Sequence, residues 1–85
     1  MLTETRNVWI VVPAFNEAGV IGDVIADLRS VFEHVVCVDD GSGDDTGEIA
    51  LRAGAHLVRH PVNLGQGAAI QTGIEYASRQ PDAQV

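Results

Sequence analysis

Three short strand-like runs alternate with three segments of helical periodicity, and this alternation limits the chain to very few folds. The runs are Val8 to Val12, His34 to Val38 and Ala55 to Arg59, and the first two consist almost entirely of apolar residues. Continuous apolar strands of this kind are typical of parallel sheets, which are covered on both faces. The order β-α-β-α-β-α therefore predicts a Rossmann-like three-layer α/β/α fold with a parallel sheet and right-handed crossovers.

The first two predicted helices carry recognisable end signals. An apolar stripe from Val20 to Phe32 has the spacing of one helix face, and Asn16 upstream is predicted to cap it. Ser42 and Asp45 have the spacing of a capping box for the second helix, with Asp in place of Glu or Gln. Gly54 is predicted to end this short helix. Pro13 is predicted to end the first strand, because proline has no N–H to donate to a sheet.

A third helix is predicted from about Gly67 to Arg79. Its expected inner face is formed by Ile70, Gly73, Ile74 and Ala77. Pro81 is expected to close this helix, and residues 83–85 look like the start of a fourth strand. Residues 1–85 are therefore expected to be the N-terminal part of a larger α/β domain.

Composition argues against several classes of protein. Apolar residues make up 46% of the 85 residues and charged residues 20%, which is ordinary for a globular domain. Five arginines against twelve Asp and Glu give a net charge of −7, so nucleic acid is not an expected partner. The single cysteine, Cys37, lies in an apolar run and suits a reducing compartment. The apolar runs are too short to cross a bilayer, and a cytoplasmic location is expected.

Polar residues gather at the predicted carboxyl ends of the strands, where ligands bind in such sheets. Three loops reach this edge: 13–17, 39–43 and 60–67. His56 and His60 are roughly 13 Å apart at about 3.3 Å per strand residue, too far to share a metal. Both are expected at the surface or an edge, with His60 near the crevice, whereas Trp9 is expected in the core.

Four carboxylates follow the second strand, a composition that occurs in metal-binding sites and in phosphoryl-transfer sites. An EF-hand loop fails in both registers, because glycines or Leu51 fall where ligands belong. An aspartyl phosphatase needs a second Asp two residues after the first, where this chain has Gly41 or Ser42. A P-loop is excluded because the chain contains no lysine. Gly65 and Gly67 could open a dinucleotide fingerprint, but Ile70 stands where its third glycine belongs.

Strand alternation instead separates the four carboxylates. Asp39 and Asp40 are adjacent on one strand and must face opposite sides of the sheet. One is predicted to contact a ligand, such as the ring N–H of uracil or guanine, and the other to brace the turn. Alternation alone leaves open which of the two has which role. Asp44 and Asp45 are predicted to favour the start of the second helix, and Glu17 suits either a helix start or the crevice.

Three segments together resemble the nucleotide-sugar-binding half of the family 2 inverting glycosyltransferases, which have the GT-A fold. They are "IVVPAFNEAGVIGDVI", "VVCVDDGSGDDT" and "NLGQGAAIQTGIEYA", in the family's order and spacing. The similarity is greatest to the polyprenyl-phosphate sugar transferases, the group that includes dolichyl-phosphate mannose synthase. It covers nearly the whole chain.

The resemblance implies a nucleotide-binding role for particular residues. Those implied to surround the base and ribose are Pro13, Ala14, Phe15, Glu17, Val38 and Asp40. Asp39, Gly65, Gln66 and Gly67 are implied with less weight, the last three near the diphosphate. The resemblance thus assigns the ligand contact to Asp40 and leaves the bracing role to Asp39. Many relatives carry a basic residue near Gln66, and this chain does not. The family's metal-binding Asp-x-Asp, general base and acceptor site would follow Val85, so no catalytic or metal-binding residue is expected within these 85 residues.

The implied activity is transfer of a sugar, with inversion, from a UDP- or GDP-linked donor to a lipid phosphate or other acceptor, assisted by Mg²⁺ or Mn²⁺. The 85 residues alone are expected to be inactive, and any contact with the cytoplasmic face of a membrane would use other regions. One alternative is a sugar-1-phosphate nucleotidyltransferase, which would need a basic, glycine-rich loop after the first strand. The other is a non-catalytic nucleotide-binding module.

Overall fold

The computed structural model describes residues 6–85 and confirms the predicted alternation of strands and helices. The elements are β1 (Trp9–Ala14), α1 (Ile21–Arg29), β2 (His34–Asp40), α2 (Thr46–Arg52), β3 (His56–His60) and α3 (Gln66–Ser78). The three strands are parallel, in the order β1-β2-β3. The chain therefore has the α/β class predicted from its sequence.

Helices cover both faces of the sheet. On one face, α1 and α2 pack over a core that includes Ile21, Ile25, Val35 and Cys37. On the other face, α3 packs over a smaller core built from Trp9, Val36 and Ala77. Successive residues of β2 thus supply opposite cores, as strand alternation requires. The result is three layers, with β2 buried at the centre.

The predicted start of a fourth strand is confirmed as a single parallel bridge between Val8 and Gln84. The Trp9 N–H donates to the Gln84 carbonyl at 2.7 Å, and the Gln84 N–H donates to the Asn7 carbonyl at 2.6 Å. Gln84 therefore lies beside β1 on the side away from β2. The chain thus adds β2 and β3 on one side of β1 and then places Gln84 on the other side. In open α/β sheets, a ligand-binding crevice forms where the strand order reverses in this way.

Pro13 does not end β1, contrary to our prediction, since the strand continues to Ala14. The Trp9 N–H points away from β2, toward Gln84, and by strand alternation position 13 points its nitrogen the same way. A proline there removes no hydrogen bond between β1 and β2. Proline is tolerated at this position, as it is on edge strands, because no neighbouring strand needs its N–H.

The inner face of α3 was predicted incorrectly in part. Ile70 and Ile74 are each 38% exposed, whereas Ala69, Gly73 and Ala77 are buried. A Cβ added at Gly73 would lie 2.3 Å from Val11 Cγ1, closer than any real contact, because α3 approaches the sheet tightly here. Small residues every fourth position permit this approach, and the bulkier isoleucines face outward.

Further predictions concern the end of α2, the start of β3 and membrane-spanning segments. Gly54 follows the α2 C-cap Ala53 with φ 109°, the left-handed region that glycine enters at little cost, as predicted. β3 begins at His56 rather than Ala55 and includes His60. Within residues 6–85, no helix has the length and apolar character needed to cross a membrane.

Candidate functional site

An open cleft of about 420 Å³ lies at the carboxyl edge of the sheet. Seven residues predicted from the sequence line it: Pro13, Ala14, Phe15, Glu17, Asp40, Gly65 and Gln66. Asn63 and Ala69 complete the lining, and neither was predicted. The lining comes from three chain segments: residues 13–17 at the end of β1, Asp40 at the end of β2, and residues 63–69 at the start of α3. They meet because parallel strands end at the same edge.

Three residues of the predicted set lie elsewhere. Val38 is fully buried beneath α3, where its Cγ2 would be 3.2 Å from a Cβ at Gly73. Asp39 faces the opposite side of the sheet from Asp40. Gly67 lies in the first turn of α3, between the lining residues Gln66 and Ala69, and does not itself line the cleft. The other seven predicted residues form the cleft walls together with Asn63 and Ala69.

Asp40 is buried, and its carboxylate holds the neighbouring loop. Oδ1 accepts hydrogen bonds from the Leu64 N–H at 2.9 Å and from His60 Nδ1 at 2.7 Å. Oδ2 accepts one from the Gly65 N–H at 2.9 Å. The Leu64 amide, followed by His60 and the Gly65 amide, lowers the pKa of Asp40 below its usual 3.8. Asp40 therefore braces a turn as well as lining the cleft, although we had assigned bracing to Asp39 alone.

His60 ends the edge strand β3 beside the cleft, as predicted, but it does not lie at the surface. Its side chain is only 10% exposed and lies between two partners. Nδ1 must carry the hydrogen that Asp40 Oδ1 accepts, because a carboxylate cannot donate. Nε2 lies 2.8 Å from Thr72 Oγ1 on α3. His60 thus connects β3, the carboxylate at the end of β2, and α3.

Asp39 braces the turn after β2, as predicted. Its side chain is 7% exposed, and Oδ1 accepts a hydrogen bond from the Ser42 N–H at 3.0 Å. Arg59 Nε lies 3.9 Å from Oδ2, and the Arg59 guanidinium also pairs with Glu48. A Cβ at Gly47 would lie 2.7 Å from Asp39 Oδ2, so the start of α2 is packed against this carboxylate.

Asn16 and Ser42 tie two cleft loops together and do not cap helices. The Asn16 N–H donates to Ser42 Oγ at 2.9 Å, and the Gly43 N–H donates to Asn16 Oδ1 at 2.8 Å. Asn16 adopts φ 52°, a left-handed conformation that asparagine enters more readily than most residues. In the described part of the chain, α1 has Val20 at its N-cap and no side-chain cap. Both capping predictions, for Asn16 and for Ser42 with Asp45, are therefore wrong.

Thr46 and Asp44 hold the segment that carries Glu17. The Glu17 N–H donates to the buried Thr46 Oγ1 at 2.8 Å, and the Thr46 hydroxyl donates to Asp44 Oδ1. The other oxygen of Asp44 accepts from the Ala18 N–H at 3.3 Å. The Thr46 hydroxyl is the main cause of a pKa of Asp44 below its usual 3.8. Asp44 also accepts the Thr46 N–H at the start of α2, so it has the helix-starting role predicted for it.

The electrostatics of the cleft are acidic. Glu17 and Asp40 are its two charged lining residues, and the net charge of the chain is −7. Within residues 6–85, no three His, Cys, Asp or Glu side chains converge as a metal site would require. The described residues therefore do not fit a resident metal ion, and a phosphorylated ligand would need positive charge from elsewhere.

The opposite edge of the sheet carries an aromatic cluster formed by Trp9, His34, His56 and Tyr76. Trp9 is 5% exposed, as predicted for a core residue, and stacks on His34 at 4.6 Å between ring centroids. His56 lies 4.8 Å from Trp9, and its Nδ1 is 2.9 Å from the Tyr76 hydroxyl. Burial, and then the charges of His34 and Arg29, lower the pKa of His56 below 6.5.

Cys37 is fully buried in the core beneath α1 and α2. Burial, with the nearby charges of Asp39 and Glu17, raises the pKa of its thiol to about 12. A thiol in this state is not a nucleophile at neutral pH. Cys37 is a small apolar core residue, as the sequence suggested.

Comparison with known proteins identifies the family. The model of glycosyl transferase family 2 matches residues 9–80, which include every element of the fold. The chain belongs to glycosyl transferase family 2. The family match covers all three segments on which the resemblance was based, and with the structure it confirms the N-terminal part of a GT-A fold.

Named relatives of this family-2 chain include sugar transferases. Glycosyltransferase AglJ of Haloferax volcanii is 44% identical over 69 residues, covering 80% of this chain and 22% of the relative. The dolichyl-phosphate hexose transferase of the same organism is 37% identical, covering 76% of this chain and 29% of the relative. The chain spans about a fifth to a third of the length of such relatives.

A solved structure resembles this family-2 chain closely. Glucosyl-3-phosphoglycerate synthase of Mycobacterium tuberculosis superposes with a TM-score of 0.71 and 29% identity. The superposition covers 88% of this chain and 30% of the synthase. That enzyme was crystallised with Mn²⁺, UDP-glucose and phosphoglyceric acid.

Sequence reasoning missed the roles of four residues that shape the site: His60, Thr72, Thr46 and Asn63. His60 and Thr46 are polar residues beside predicted strand or helix ends, a signal that points to the right edge but not to their partners. Thr72 gave no signal, because a threonine within a helix is ordinary. Asn63 lies in a segment that was singled out, although it was not itself selected.

Proposed function

We propose that the protein containing this chain transfers a sugar, with inversion, from a nucleotide diphosphate donor. The proposal rests mainly on the cleft, where three segments distant in sequence bring together seven residues predicted to contact a nucleotide. The family match and the named relatives support glycosyl transfer. The cleft would hold the nucleotide part of the donor.

Different parts of the cleft suit different parts of a nucleotide. Phe15 is 44% exposed at the cleft, where an aromatic ring can cover a base or ribose. Asp40 offers a carboxylate to a ring N–H, and Asn63 offers an amide that donates and accepts. Gln66 opens α3 at the cleft, and α3 has no acidic residue in its first turn. We assign the base to the Asp40 side and the diphosphate to the start of α3.

The diphosphate requires positive charge that the cleft does not supply. We propose that Mg²⁺ or Mn²⁺ accompanies it, with ligands outside residues 6–85. This is supported by the Mn²⁺ in the similar synthase structure and by the acidic lining of the cleft. A divalent ion would neutralise charge on the leaving nucleotide diphosphate. The described residues take no part in that step.

We further propose a lipid phosphate, such as undecaprenyl or dolichyl phosphate, as the acceptor. Support comes from relatives named dolichyl-phosphate hexose transferase and dolichyl-phosphate beta-glucosyltransferase. An acceptor phosphate oxygen would attack the anomeric carbon as the bond to the nucleotide diphosphate breaks, which inverts that centre. We place the reaction in the cytoplasm, at the cytoplasmic face of the membrane where such an acceptor is embedded.

Calorimetric titration tests the nucleotide part of this proposal. We expect the full-length protein that contains this chain to bind UDP or GDP in the presence of Mg²⁺ or Mn²⁺, and ADP at least about tenfold more weakly. Asp40→Asn, which keeps the shape but loses the charge, should weaken binding by about tenfold. Equal binding of all three nucleotides, or of none, would contradict the proposal. Unaltered binding by Asp40→Asn would contradict the role of Asp40.

Transfer is tested separately in the full-length protein. Incubation with a radiolabelled UDP- or GDP-sugar and polyprenyl phosphate should yield a labelled lipid, and NMR of the product should show inversion at the anomeric carbon. A product with retained configuration, or label only in free sugar, would refute the proposed reaction without affecting the binding result.

A further inference from the structure

The two oxygens of Asp40 are not equally available to a ligand. A carboxylate oxygen has two lone pairs that accept hydrogen bonds. Oδ1 already accepts from the Leu64 N–H and from His60 Nδ1, so both of its sites are filled. Within the described part of the chain, Oδ2 accepts only from the Gly65 N–H. Asp40 therefore presents one free acceptor site to the cleft.

Nucleotide bases differ in how many donors they offer to such a carboxylate. Guanine carries two adjacent donors, N1–H and the exocyclic amine, which match both oxygens of a carboxylate. Uracil carries one ring donor, N3–H, between two carbonyl oxygens. A donor that is desolvated and left without an acceptor weakens binding. One free acceptor site satisfies uracil and leaves one guanine donor unpaired.

We infer that this cleft selects uracil over guanine and that His60 is the residue that sets the selection. The inference rests on the proposed function, since it names the base bound in the same cleft. His60 acts through Asp40: by occupying Oδ1 it removes the second acceptor that guanine needs. It also shields the charge of Oδ1 from an adjacent uracil carbonyl oxygen, which would otherwise be repelled.

Thr72 holds His60 in the orientation that this role requires. The Thr72 hydroxyl lies 2.8 Å from Nε2 and can donate to it, which leaves Nδ1 as the ring nitrogen that carries the hydrogen. His60 is 10% exposed and the Asp40 side chain 4%, so water competes little with either contact. These two hydrogen bonds connect Thr72 on α3, through His60 on β3, to Asp40 at the end of β2.

The test compares the affinities of UDP and GDP for the full-length protein by calorimetry at one Mg²⁺ concentration. Both ligands share ribose and diphosphate, so the ratio of their dissociation constants isolates the base. We expect UDP to bind at least about tenfold more tightly than GDP. Tighter or equal binding of GDP would overturn the inference while leaving the proposed function intact.

Two variants separate the nitrogens of His60. In His60→Asn, the amide nitrogen takes the place of Nδ1 and keeps the bond to Asp40, so the UDP preference should stay within about twofold of the unmodified chain. In His60→Gln, the amide takes the place of Nε2 and the bond to Asp40 is lost. The UDP preference should then fall at least about fivefold. Equal ratios in the two variants would overturn the role of His60.

A control and a ligand-free measurement complete the experiment. Glu75→Gln removes an acidic charge from α3 outside the cleft lining and should leave the UDP-to-GDP ratio unchanged. A shift as large as that of His60→Gln would overturn the inference. Nitrogen-15 NMR of the ligand-free protein should show His60 protonated at Nδ1, and an unprotonated Nδ1 would also overturn the inference. If the unmodified protein binds neither nucleotide, the proposed function fails, and the base selection fails with it.

Discussion

The two ends of the sheet are built by different physical means. At the carboxyl edge, carboxylates accept backbone N–H groups and hold the cleft loops in place. They are the buried Asp39 and Asp40 and the exposed Asp44. At the amino edge, the aromatic cluster packs Trp9 between two histidines and a tyrosine. Hydrogen bonds to carboxylates fix directions, whereas ring packing mainly removes apolar surface from water. The aromatic edge therefore supplies stability, and the cleft edge supplies geometry.

The largest expected effect tests the aromatic edge. Trp9→Ala should lower the free energy of unfolding by about 3–5 kcal/mol, because a large buried ring leaves a cavity. Urea unfolding followed by circular dichroism measures the loss. Trp9→Phe, which keeps a ring, should lose less than half as much. A loss below about 1 kcal/mol in Trp9→Ala would mean that this edge does not carry the stability assigned to it.

A glycine pair tests how tightly the cleft edge is packed. Gly41 has φ 77°, and a Cβ there would lie 2.4 Å from the backbone carbon of Val62. Gly41→Ala should cost about 2–4 kcal/mol, combining left-handed strain with a displaced backbone. Gly43, in the same loop, has open space around it, so Gly43→Ala should stay within about 0.5 kcal/mol. Similar losses in the two variants would show that local packing is not the cause.

Thr46 tests the hydrogen bonds that hold Glu17. Thr46→Val keeps the shape but removes the hydroxyl, which leaves the Glu17 N–H without its acceptor and Asp44 without one of its three donors. We expect a loss of about 1–3 kcal/mol and faster hydrogen exchange at the Glu17 and Ala18 amides. Thr46→Ser keeps the hydroxyl and should retain slow exchange at both. Slow exchange in the valine variant would contradict the assigned role.

The smallest expected effect is a difference in acid sensitivity between the two edges. His56 has a folded pKa below 6.5, so the unfolded chain takes up the proton more readily, and stability falls as pH drops from 6.5 toward that lowered value. Asp40 and Asp44 have folded pKa values below 3.8, so their contribution is present above 3.8 and is lost as pH falls through those values.

NMR across this pH range separates the two windows. Amides of the aromatic edge should change first, between pH 6.5 and the lowered pKa of His56. Those of Leu64 and Gly65 should change only below pH 3.8. His56→Gln should remove the first part of the stability loss and leave the second. A single transition shared by both edges would show that they do not respond independently.

The sequence predicted what depends on neighbouring residues. Apolar runs located the strands, alternation placed Asp39 and Asp40 on opposite faces, and the sheet class brought their loops to one edge. The outcome for Asn16 was different, because its partners Ser42 and Gly43 lie 26 and 27 residues away. A local pattern fits a helix cap equally well, so only the folded chain decides between the two.

The inner face of α3 fails as a prediction for another reason. Hydrophobicity favours Ile70 and Ile74, but the distance between helix and sheet favours the small residues Ala69, Gly73 and Ala77. That distance depends on how the layers pack, and the spacing of apolar residues along the sequence does not predict it. His60 was misjudged similarly, since its partners come from β2 and α3. Contacts between elements therefore account for most of what the sequence left open.

The bridge between Val8 and Gln84 has a consequence for how the chain folds. It joins residues separated by almost the whole sequence, so closing it costs more entropy than any contact between successive elements. We expect this pairing to form last, after the three strands and their crossovers have assembled. Until then β1 exposes an unpaired edge, the kind of surface on which chains associate. During synthesis, that edge stays open until residue 84 has emerged from the ribosome.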